Sequence, residues 1–505
     1  MTRRLVVMML IFPATRLSDV AASAQAPPRE AIEIGSRREL FVDRFLIDTM
    51  TNTALRLHRP VDRGPVLAFD RPWEGPFSGY ATILHAGKKY QAYYRGAPGA
   101  EKKDTGNHQV VCYAESDDGI HWTKPALDLF PRHGEATTNI VLANAAPDTH
   151  NFSPLIDTRP GVNPAERYKA IGGYHEPGLS AYVSPDGIRW KRLRDGPVLT
   201  RRDVGFKEGS KSIVFDSQNV AFWSEAEGKY LLYYRVYKDG KRRIARVESD
   251  DFVAWRAPAL MEYRRGDGPA PIEQIYISQT QPYFRAPHVA IATSARFMQG
   301  RRVLTAQEAE AIHVNPRYFN DTSDAVLMTS RGGGVYDRTF MEAFIAPGVG
   351  AENWTSRTNY PALNVVQTGP NEMSVYVNQN YGQPTSHLRR YSLRLDGFAS
   401  VRADYDGGEM RTKPLRFQGS RLLLNFATSA AGGIKVEVQR EDGTPIPGFT
   451  LADCQELIGN DIERAVTFAS GDLGRLAGQA VRLRFVMKDA DLYALRFAAE
   501  PGGGR

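Results

Sequence analysis

Four acidic residues lie beside apolar segments and have no copies elsewhere in the chain: Asp216 in FDSQN, Glu74 in RPWEGP, Glu273 in IEQIY and Glu342 in RTFMEAF. A carboxylic acid can donate a proton and a carboxylate can accept one, so two such groups in one pocket can act as general acid and base. Asp216 and Glu74 each stand just before a predicted strand, and we predict that they form the catalytic pair. Glu342 and Glu273 are the reserve candidates.

Other polar and aromatic residues occupy similar positions in front of predicted strands or in the connections between them. Histidine, arginine, amide and tyrosine side chains can hydrogen-bond hydroxyl or carboxylate groups, and a nearby charge can bias the pKa of a catalytic acid. We therefore predict six substrate-binding residues: His150, Asn151, Asn219, Arg338, Tyr360 and Tyr276.

Structural roles for some of these residues stay open at the level of sequence. Asp216 and Asn219 could cap the start of a strand through Asx turns. Glu342, flanked by apolar residues, could form a buried ion pair with Arg338, since structural ion pairs also place carboxylates in protein interiors.

A repeated phrase defines the elements that must position these side chains. ESDDGIHW at 115–122 returns as VSPDGIRW at 183–190 and as ESDDFVAW at 248–255. Ser and Asp side chains can accept hydrogen bonds from the backbone N–H groups that follow, Gly permits a tight turn, and Trp can pack between sheets. Because catalytic acids should differ from one repeat to the next, we interpret the phrase as a structural corner and set aside Asp118, Asp186 and Asp251.

Each copy of the phrase closes a unit of short predicted strands, such as the hairpin in YATILHAGKKYQAYYRG, and two further units follow after 275 and 360. Five such units arranged radially would form a β-propeller, which closes on itself and leaves few sheet edges exposed. In a propeller the innermost strands start near the axis, so the loops that enter them converge on one funnel. This arrangement would bring the candidate residues together.

The predicted fold class is therefore all-β, a five-bladed β-propeller over 35–400 followed by a C-terminal β-sandwich over 401–500. Evenly spaced short strands with Gly-rich turns after 400 indicate the sandwich. The one clear helical pattern is TAQEAEAIHV at 305–314, inside a propeller unit.

The N-terminal segment, residues 1–26, has two arginines, an apolar run and small residues in the order typical of a signal peptide. We expect a secreted or periplasmic mature protein. Its apolar run is too short to span a bilayer. The two cysteines, Cys112 and Cys454, are far apart in sequence, so we expect buried thiols rather than a disulfide.

Composition and motifs indicate which partners and cofactors to expect. The chain has 505 residues, 24% of them charged, and a net charge of +7. The sequence has no run of Lys and Arg with interleaved aromatic residues, so we expect no nucleic-acid partner. No phosphate-binding or metal-binding motif is present, so we expect no cofactor, although carboxylates from distant segments could hold a structural calcium ion. The sequence does not indicate an oligomeric state.

The run ELFVDRFLI, RPWEGPFSGYATI, HNFSPLIDTRPGV, FDSQNVAFW, PYFRAPH and SRGGGVYDRTFMEAF resembles a group of secreted bacterial proteins identified as invertase-like glycosyl hydrolases. At superfamily level the order of units resembles the five-bladed propeller glycosidases that include arabinanases, invertases and levansucrases. The resemblance implies a secreted glycoside hydrolase that acts on a poly- or oligosaccharide. The Asn-Asp-Pro, Arg-Asp-Pro and Glu-Cys motifs of invertases are absent, so catalytic roles are assigned by position alone.

Hydrolysis of a glycosidic bond commonly uses two carboxyl groups, about 6.5–9.5 Å apart for inversion or about 5–5.5 Å apart for retention. Two alternatives remain. A funnel lined by a single carboxyl would favour a propeller that binds carbohydrate without cleaving it. Tyr276, Tyr360 and His150, together with the positive net charge, would suit a lyase acting on a uronic polysaccharide. The sugar, the linkage and the exo or endo mode are not encoded in any recognisable motif.

Overall fold

The computed structural model describes residues 30–99, 108–205, 214–469 and 471–500, so the predicted signal peptide lies outside the described residues. The helix predicted at 305–314 is confirmed as Ala306–Ala311, and Thr305 begins it with a capping box. Three short 3-10 helices cover Pro164–Glu166, Ala351–Asn353 and Leu473–Leu476. In the described ranges we find no helix with the length and apolar character needed to cross a membrane.

The predicted five-bladed propeller is confirmed. The first three blades are four-stranded antiparallel sheets in which consecutive strands are neighbours. Blade 1 contains Gly79–Ala86, Lys89–Gly96, Val110–Ser116 and Ile140–Leu142; blade 2 contains Ser153–Ile156, Tyr168–Gly172, Ser180–Ser184 and Lys191–Arg192; blade 3 contains Val220–Ser224, Lys229–Lys238, Lys241–Ser249 and Arg256–Leu260.

Blades 4 and 5 complete the ring. Blade 4 contains Ile275–Tyr283, Ala286–Met298, Thr322–Ser330 and Val335–Asp337, extended at its edge by Glu262–Arg265 and Gly268–Pro269. Blade 5 contains Tyr360–Pro361, Val366–Gln367, Glu372–Gln379 and His387–Arg394, and its outer strand is Val61–Ala68. An early strand thus completes the last blade, which fastens the beginning of the propeller to its end.

The described strands before Val61 pair with strands of the second domain and not with a propeller blade, although the propeller was predicted to start at residue 35. Its strands are Ile32–Gly35, Glu39–Leu40, Ile47–Thr51 and Thr53–Leu57. They pair with strands of the C-terminal region, which are Ala399–Ala403, Gly408–Thr412, Leu415–Phe417, Arg421–Gln439, Asn460–Ala465 and Arg482–Ala498. One apolar core joins both sets of strands. The arrangement of this domain as a two-layer sandwich stays a prediction.

Strand direction separates the two ends of each propeller blade. In blade 1, Gly79 at the start of the first strand lies opposite Arg95 near the end of the second. Tyr90 at the start of the second strand lies opposite Ser116, where the repeated corner begins. The entries of the innermost strands therefore lie at one end of the blade, and the corners lie at the other.

The repeated phrase forms the same structural corner in blades 1, 2 and 3, as predicted. Oδ1 of Asp118, of Asp186 and of Asp251 each accepts hydrogen bonds from the backbone N–H groups two and three residues later, all at 2.8 Å. These bonds hold the pKa of each carboxyl below its usual range, against the opposing effect of burial. The three acids set aside by the repeat argument are thus turn residues.

Candidate active site

A polar cavity of about 130 Å³, here called the axial pocket, lies where the innermost strands begin. Its volume is below the ~300–1,000 Å³ typical of pockets for drug-sized ligands, so it has room for a small chemical group rather than a length of polymer. The pocket is lined by Phe77, Tyr80, Arg95, Ala97, Gly99, Gln109, His150, Asp216, Tyr276, Tyr318, Arg357 and Tyr381.

Asp216 enters the pocket from the loop that precedes the first strand of blade 3. Its Oδ2 lies 2.6 Å from Nη2 of Arg235, a guanidinium with only 1% of its side chain exposed. The preceding residue, Phe215, is held by its carbonyl, which accepts hydrogen bonds from Nδ2 of Asn219 at 3.1 Å and of Asn151 at 3.4 Å. The two amides predicted to bind substrate therefore anchor the loop that carries Asp216.

Tyr276 faces the same pocket from the start of blade 4 and is surrounded by guanidinium groups. The Cζ atoms of Arg235, Arg242 and Arg357 lie 4.5, 4.8 and 5.7 Å from its ring centroid. Burial alone would raise the pKa of the phenol, but the positive charges of Arg357 and Arg235 outweigh it, and the pKa of Tyr276 is lowered from its usual value of 10.0. Positive charge around the ring stabilises the tyrosinate form.

His150 lines the pocket as a neutral imidazole. Burial and the neighbouring charge of Arg95 lower the pKa of His150 well below its usual value. Its Nδ1 lies 2.8 Å from Oε1 of Gln109, and its ring contacts the ring of Tyr174 at a centroid distance of 4.2 Å. Its second ring nitrogen, Nε2, lies 3.4 Å from Nη1 of Arg95.

Four non-glycine residues at or directly beside the axial pocket have a left-handed backbone conformation. Tyr80 and Arg357, which line the pocket, have φ angles of +51° and +63°. Phe215 and Asn380, which precede the lining residues Asp216 and Tyr381, have φ angles of +63° and +55°. Non-glycine residues in the left-handed region cost about 1–3 kcal/mol each and often cluster at functional sites. Left-handed residues at the pocket agree with a functional role for it.

Glu74, predicted as the partner of Asp216, does not line the axial pocket. It is fully buried, and its carboxylate accepts hydrogen bonds from Tyr94 Oη at 2.6 Å and Asn139 Nδ2 at 3.3 Å. Nζ of Lys124 lies 2.6 Å from its Oε2. A carboxylate with this full set of partners is typical of a structural network between strands.

The two reserve acids also lie away from the pocket lining. Glu273 pairs with Arg296 at 2.8 Å and with Arg338, so the buried partner of Arg338 is Glu273 rather than Glu342. Glu342 itself is exposed. Tyr360 is buried behind Tyr276, at a ring centroid distance of 5.1 Å, and does not line the pocket.

Sequence reasoning missed two arginines that shape the pocket, Arg95 and Arg235. They occupy equivalent places in blades 1 and 3, at the ends of the second-strand segments KYQAYYRG and KYLLYYRVY. The Tyr-Tyr-Arg repeat could have revealed them, because the end of each second strand lies beside the start of the first. The candidates were chosen among residues without copies in other units, so these repeated arginines were not predicted.

Among the described residues, Asp216 is the only acidic residue that lines the axial pocket. A pair of carboxylates at the spacing common in glycosidases is therefore not formed by the described lining. Nor do three or more His, Cys, Asp or Glu side chains of the described ranges form a cluster that could hold a metal ion. The chemistry of this lining comes from one carboxylate, four tyrosines, two arginines and one neutral histidine.

A larger cavity of about 420 Å³ opens at the far ends of the innermost strands. Its lining is largely apolar and aromatic, with residues such as Leu155, Phe222 and Trp223. Glu225 is the one acidic residue of its described lining, which contains no arginine. The axial pocket, with its clustered charges and strained backbone, is the better candidate for a catalytic site.

No family model matches the sequence, and no curated protein matches it. The structure is similar to a solved glycoside hydrolase, with 13% sequence identity, 66% of this chain and 92% of that chain covered, and a TM-score of 0.45. It is also similar to an N-acetylgalactosamine deacetylase from F. plautii in complex with blood group B trisaccharide (13% identity, 68% and 96% covered, TM-score 0.41). A fructofuranosidase from Schwanniomyces occidentalis complexed with fructosylnystose gives 10% identity, 86% and 98% coverage and a TM-score of 0.38.

Proposed function

We propose that the protein is a glycosidase that cleaves a glycosidic bond at the axial pocket, with Asp216 as general base and Tyr276 as proton donor. The observation that carries the proposal is that both side chains line one small pocket and both contact Arg235. The two groups reach the pocket from different blades, Asp216 from blade 3 and Tyr276 from blade 4.

Asp216 is the proposed proton acceptor of the reaction. As a carboxylate paired with Arg235, it can take a proton from a water molecule, whose oxygen then attacks the anomeric carbon. Its side chain is 29% exposed, so a water molecule can reach it from the pocket.

Tyr276 supplies the donating group. Its phenol gives a proton to the leaving oxygen as the bond between that oxygen and the anomeric carbon breaks. A lowered pKa makes the phenol a better acid, and the surrounding arginines stabilise the tyrosinate that remains. The proton gained by Asp216 and the proton lost by Tyr276 balance, and exchange with solvent restores both groups.

A tyrosine in place of a second carboxylate has precedent, since sialidases use a tyrosine as their nucleophile. The proposal keeps the division of labour of an inverting glycosidase, in which one group donates a proton and another activates water. The described lining of the axial pocket provides one carboxylate, the arrangement expected above for a propeller that binds carbohydrate without cleaving it. The proposal of hydrolysis therefore depends on Tyr276, whose lowered pKa would make it the second proton-transfer group.

The test is release of sugars from a panel of plant and algal polysaccharides, followed by variants on the best substrate. Asp216→Asn and Tyr276→Phe should each reduce turnover by about 100-fold or more while the melting temperature changes little. Matched controls are Asp117→Asn and Tyr405→Phe, at exposed sites in a corner and in the second domain. Turnover within tenfold of the wild type in either pocket variant would remove that residue from the mechanism.

Elimination is a second candidate, favoured by the lowered pKa of Tyr276 among arginines. Here the tyrosinate oxygen takes the proton next to a uronate carboxylate, a carbon–carbon double bond forms, and the leaving oxygen is expelled and protonated by solvent. The products would absorb ultraviolet light, whereas hydrolysis gives a new reducing end without that absorption.

Hydrolysis and elimination predict opposite changes of turnover as the pH rises. As a proton donor, Tyr276 must be protonated, so turnover should fall as the pH rises through its lowered pKa, below 10. As the base of an elimination, Tyr276 must be ionised, so turnover should instead rise through the same pKa. The profile of turnover from pH 6 to pH 11 decides between them.

A further inference from the structure

We propose that the axial pocket binds the carboxylate of an acidic sugar, a uronate, between the guanidinium groups of Arg95 and Arg357. This inference rests on the proposed function, because it names the substrate class of the same pocket. It is carried by a charge imbalance that the described side chains leave uncompensated.

Three guanidinium groups meet one carboxylate at the pocket. Arg235 is paired with Asp216, whereas no described carboxylate forms an ion pair with Arg95 or Arg357. His150 adds no negative charge, because it is neutral or cationic in all its forms. A buried charge without a counter-charge is costly, so such groups are normally paired. The described lining thus lacks a counter-anion for these two groups, which the substrate would bring.

The partners of Arg95 are all neutral. Its Nη2 donates hydrogen bonds to the carbonyl of Phe77 at 2.8 Å and to Oη of Tyr381 at 3.1 Å, and its Cζ lies 4.7 Å from the ring centroid of Tyr80. Only 5% of Arg95 is exposed. Burial, and after it the positive charge of Arg95, lowers the pKa of His150. These neutral contacts fix the orientation of the guanidinium without neutralising it.

Arg357 is held mainly by aromatic rings. Its Cζ lies 4.6 Å from the ring centroid of Tyr318 and 5.7 Å from that of Tyr276. Its backbone adopts a φ of +63°, a conformation that disfavours a residue with a side chain. A strained arginine packed against rings, with no carboxylate partner in the described ranges, is well prepared to bind an anionic ligand.

The chemistry favours a sugar carboxylate. A guanidinium presents paired N–H donors in a plane, which match the two oxygens of a carboxylate. The lining also contains Tyr80, Gln109 and His150, which can hydrogen-bond the ring hydroxyls of a sugar. A sulfate ester would satisfy the same positive charge, so sulfated sugars form a separate arm of the test.

The test measures binding directly, by titration calorimetry on the full chain. The probes are the methyl glycosides of galacturonate and glucuronate, the corresponding neutral galactoside and glucoside, the uronate methyl esters, and galactoside 6-sulfate. At least one uronate should bind at least tenfold more tightly than its neutral counterpart and its ester. Arg95→Gln and Arg357→Gln should each weaken that binding at least tenfold, whereas Arg416→Gln, at an exposed position of the second domain, should not.

Three results would overturn the inference: equal binding of uronates and neutral sugars, tighter binding of the sulfated sugar, or no uronate binding at millimolar concentration. The proposed function can fail separately. If Asp216→Asn and Tyr276→Phe cleave normally while uronate selectivity depends on Arg95 and Arg357, the inference stands and the mechanism falls. If cleavage depends on Asp216 but neutral glycans are preferred, the mechanism stands and the inference falls.

Discussion

The two ends of the propeller blades differ in how they use acidic residues. At the corners, Asp118, Asp186 and Asp251 accept the same backbone hydrogen bonds at the same distances in three blades. At the axial pocket, a single acid, Asp216, lies among arginines and tyrosines contributed by different blades. Among these aspartates, the three repeated ones hold turns, and the one without a copy lies in the pocket.

The corner carboxylates have hydrogen-bond partners within the corner, whereas two guanidinium groups of the pocket have no carboxylate partner among the described residues. Each corner carboxylate is stabilised by hydrogen bonds from backbone N–H groups within three residues, so it needs no ligand as a partner. Arg95 and Arg357 have no carboxylate partner within the described ranges, and the backbone around them is strained. Stability and function are therefore expected to respond to different substitutions.

The largest expected effect on stability comes from the corner of blade 2. Trp190 packs edge-on against Phe152 at 5.1 Å and Tyr93 at 6.1 Å, and its Nε1 donates to the carbonyl of Gly187. Trp190→Ala should lower the free energy of unfolding by about 3 kcal/mol without changing turnover. Denaturant unfolding measures this loss, and Trp122→Ala, whose ring contacts Tyr376 at 5.9 Å, should cost less. Equal losses in the two variants would contradict the packing argument.

The largest expected effect on chemistry outside the two catalytic groups comes from Arg235. Arg235→Gln removes the partner of Asp216 and one of the charges that lower the pKa of Tyr276. Turnover should fall about 100-fold, or about 2.7 kcal/mol, and the alkaline limb of the pH profile should move to higher pH. Arg235→Lys should restore part of both properties. If the alkaline limb were unchanged in Arg235→Gln, the charge of Arg235 would not control the pKa of Tyr276 in turnover.

A smaller effect is expected at the corner glycine of blade 2. Gly187 has a φ of +77°, and a Cβ atom there would lie 2.4 Å from Oη of Tyr93. Gly187→Ala should therefore destabilise the protein by about 2 kcal/mol, through backbone strain and overpacking together. Gly196→Ala is the matched control, because its φ is +74° and the space around it is open. A loss at Gly196 as large as that at Gly187 would leave backbone strain as the whole cause.

The smallest expected effect is the acid sensitivity of the corners. The pKa of Asp186 is lowered in the folded protein, mainly by the N–H groups of Arg189 and Ile188, which overcome the effect of burial. A lowered folded pKa contributes stability above the unfolded pKa of about 4, and this contribution is lost as the pH falls through the folded value. The combined Asp118→Asn, Asp186→Asn and Asp251→Asn variant should show a shallower loss of stability below pH 4 than the wild type. An unchanged acid slope would show that the corners do not titrate in this range.

Much of the fold followed from the sequence because its signals are local. The corner phrase, the hairpins and the capping box of the helix at Ala306–Ala311 each depend on residues a few positions apart. The pairing of the strands at 32–57 with the C-terminal domain joins segments more than 300 residues apart, for example Thr53 with Ala403. A pairing between such distant segments leaves no short sequence pattern from which it could be predicted.

The difference between local and long-range signals also explains which site residues could be predicted. Asp216, Tyr276 and His150 were predicted from their places before innermost strands, and all three line the axial pocket. Glu74 stands in an equivalent place in the sequence, but Tyr94, Lys124 and Asn139 surround its carboxylate. Those partners come from three later segments of the chain, so the burial of Glu74 was not readable from its neighbours in sequence.

The most direct test of the account compares two aspartates in one assay. Asp216→Asn and Asp186→Asn make the same chemical change at the pocket and at a corner. On the best substrate from the polysaccharide panel, Asp216→Asn should lower kcat about 100-fold or more, and Asp186→Asn should leave kcat within a factor of two. Full turnover in Asp216→Asn, or an equal loss in both variants, would contradict the assignment of chemistry to the axial pocket.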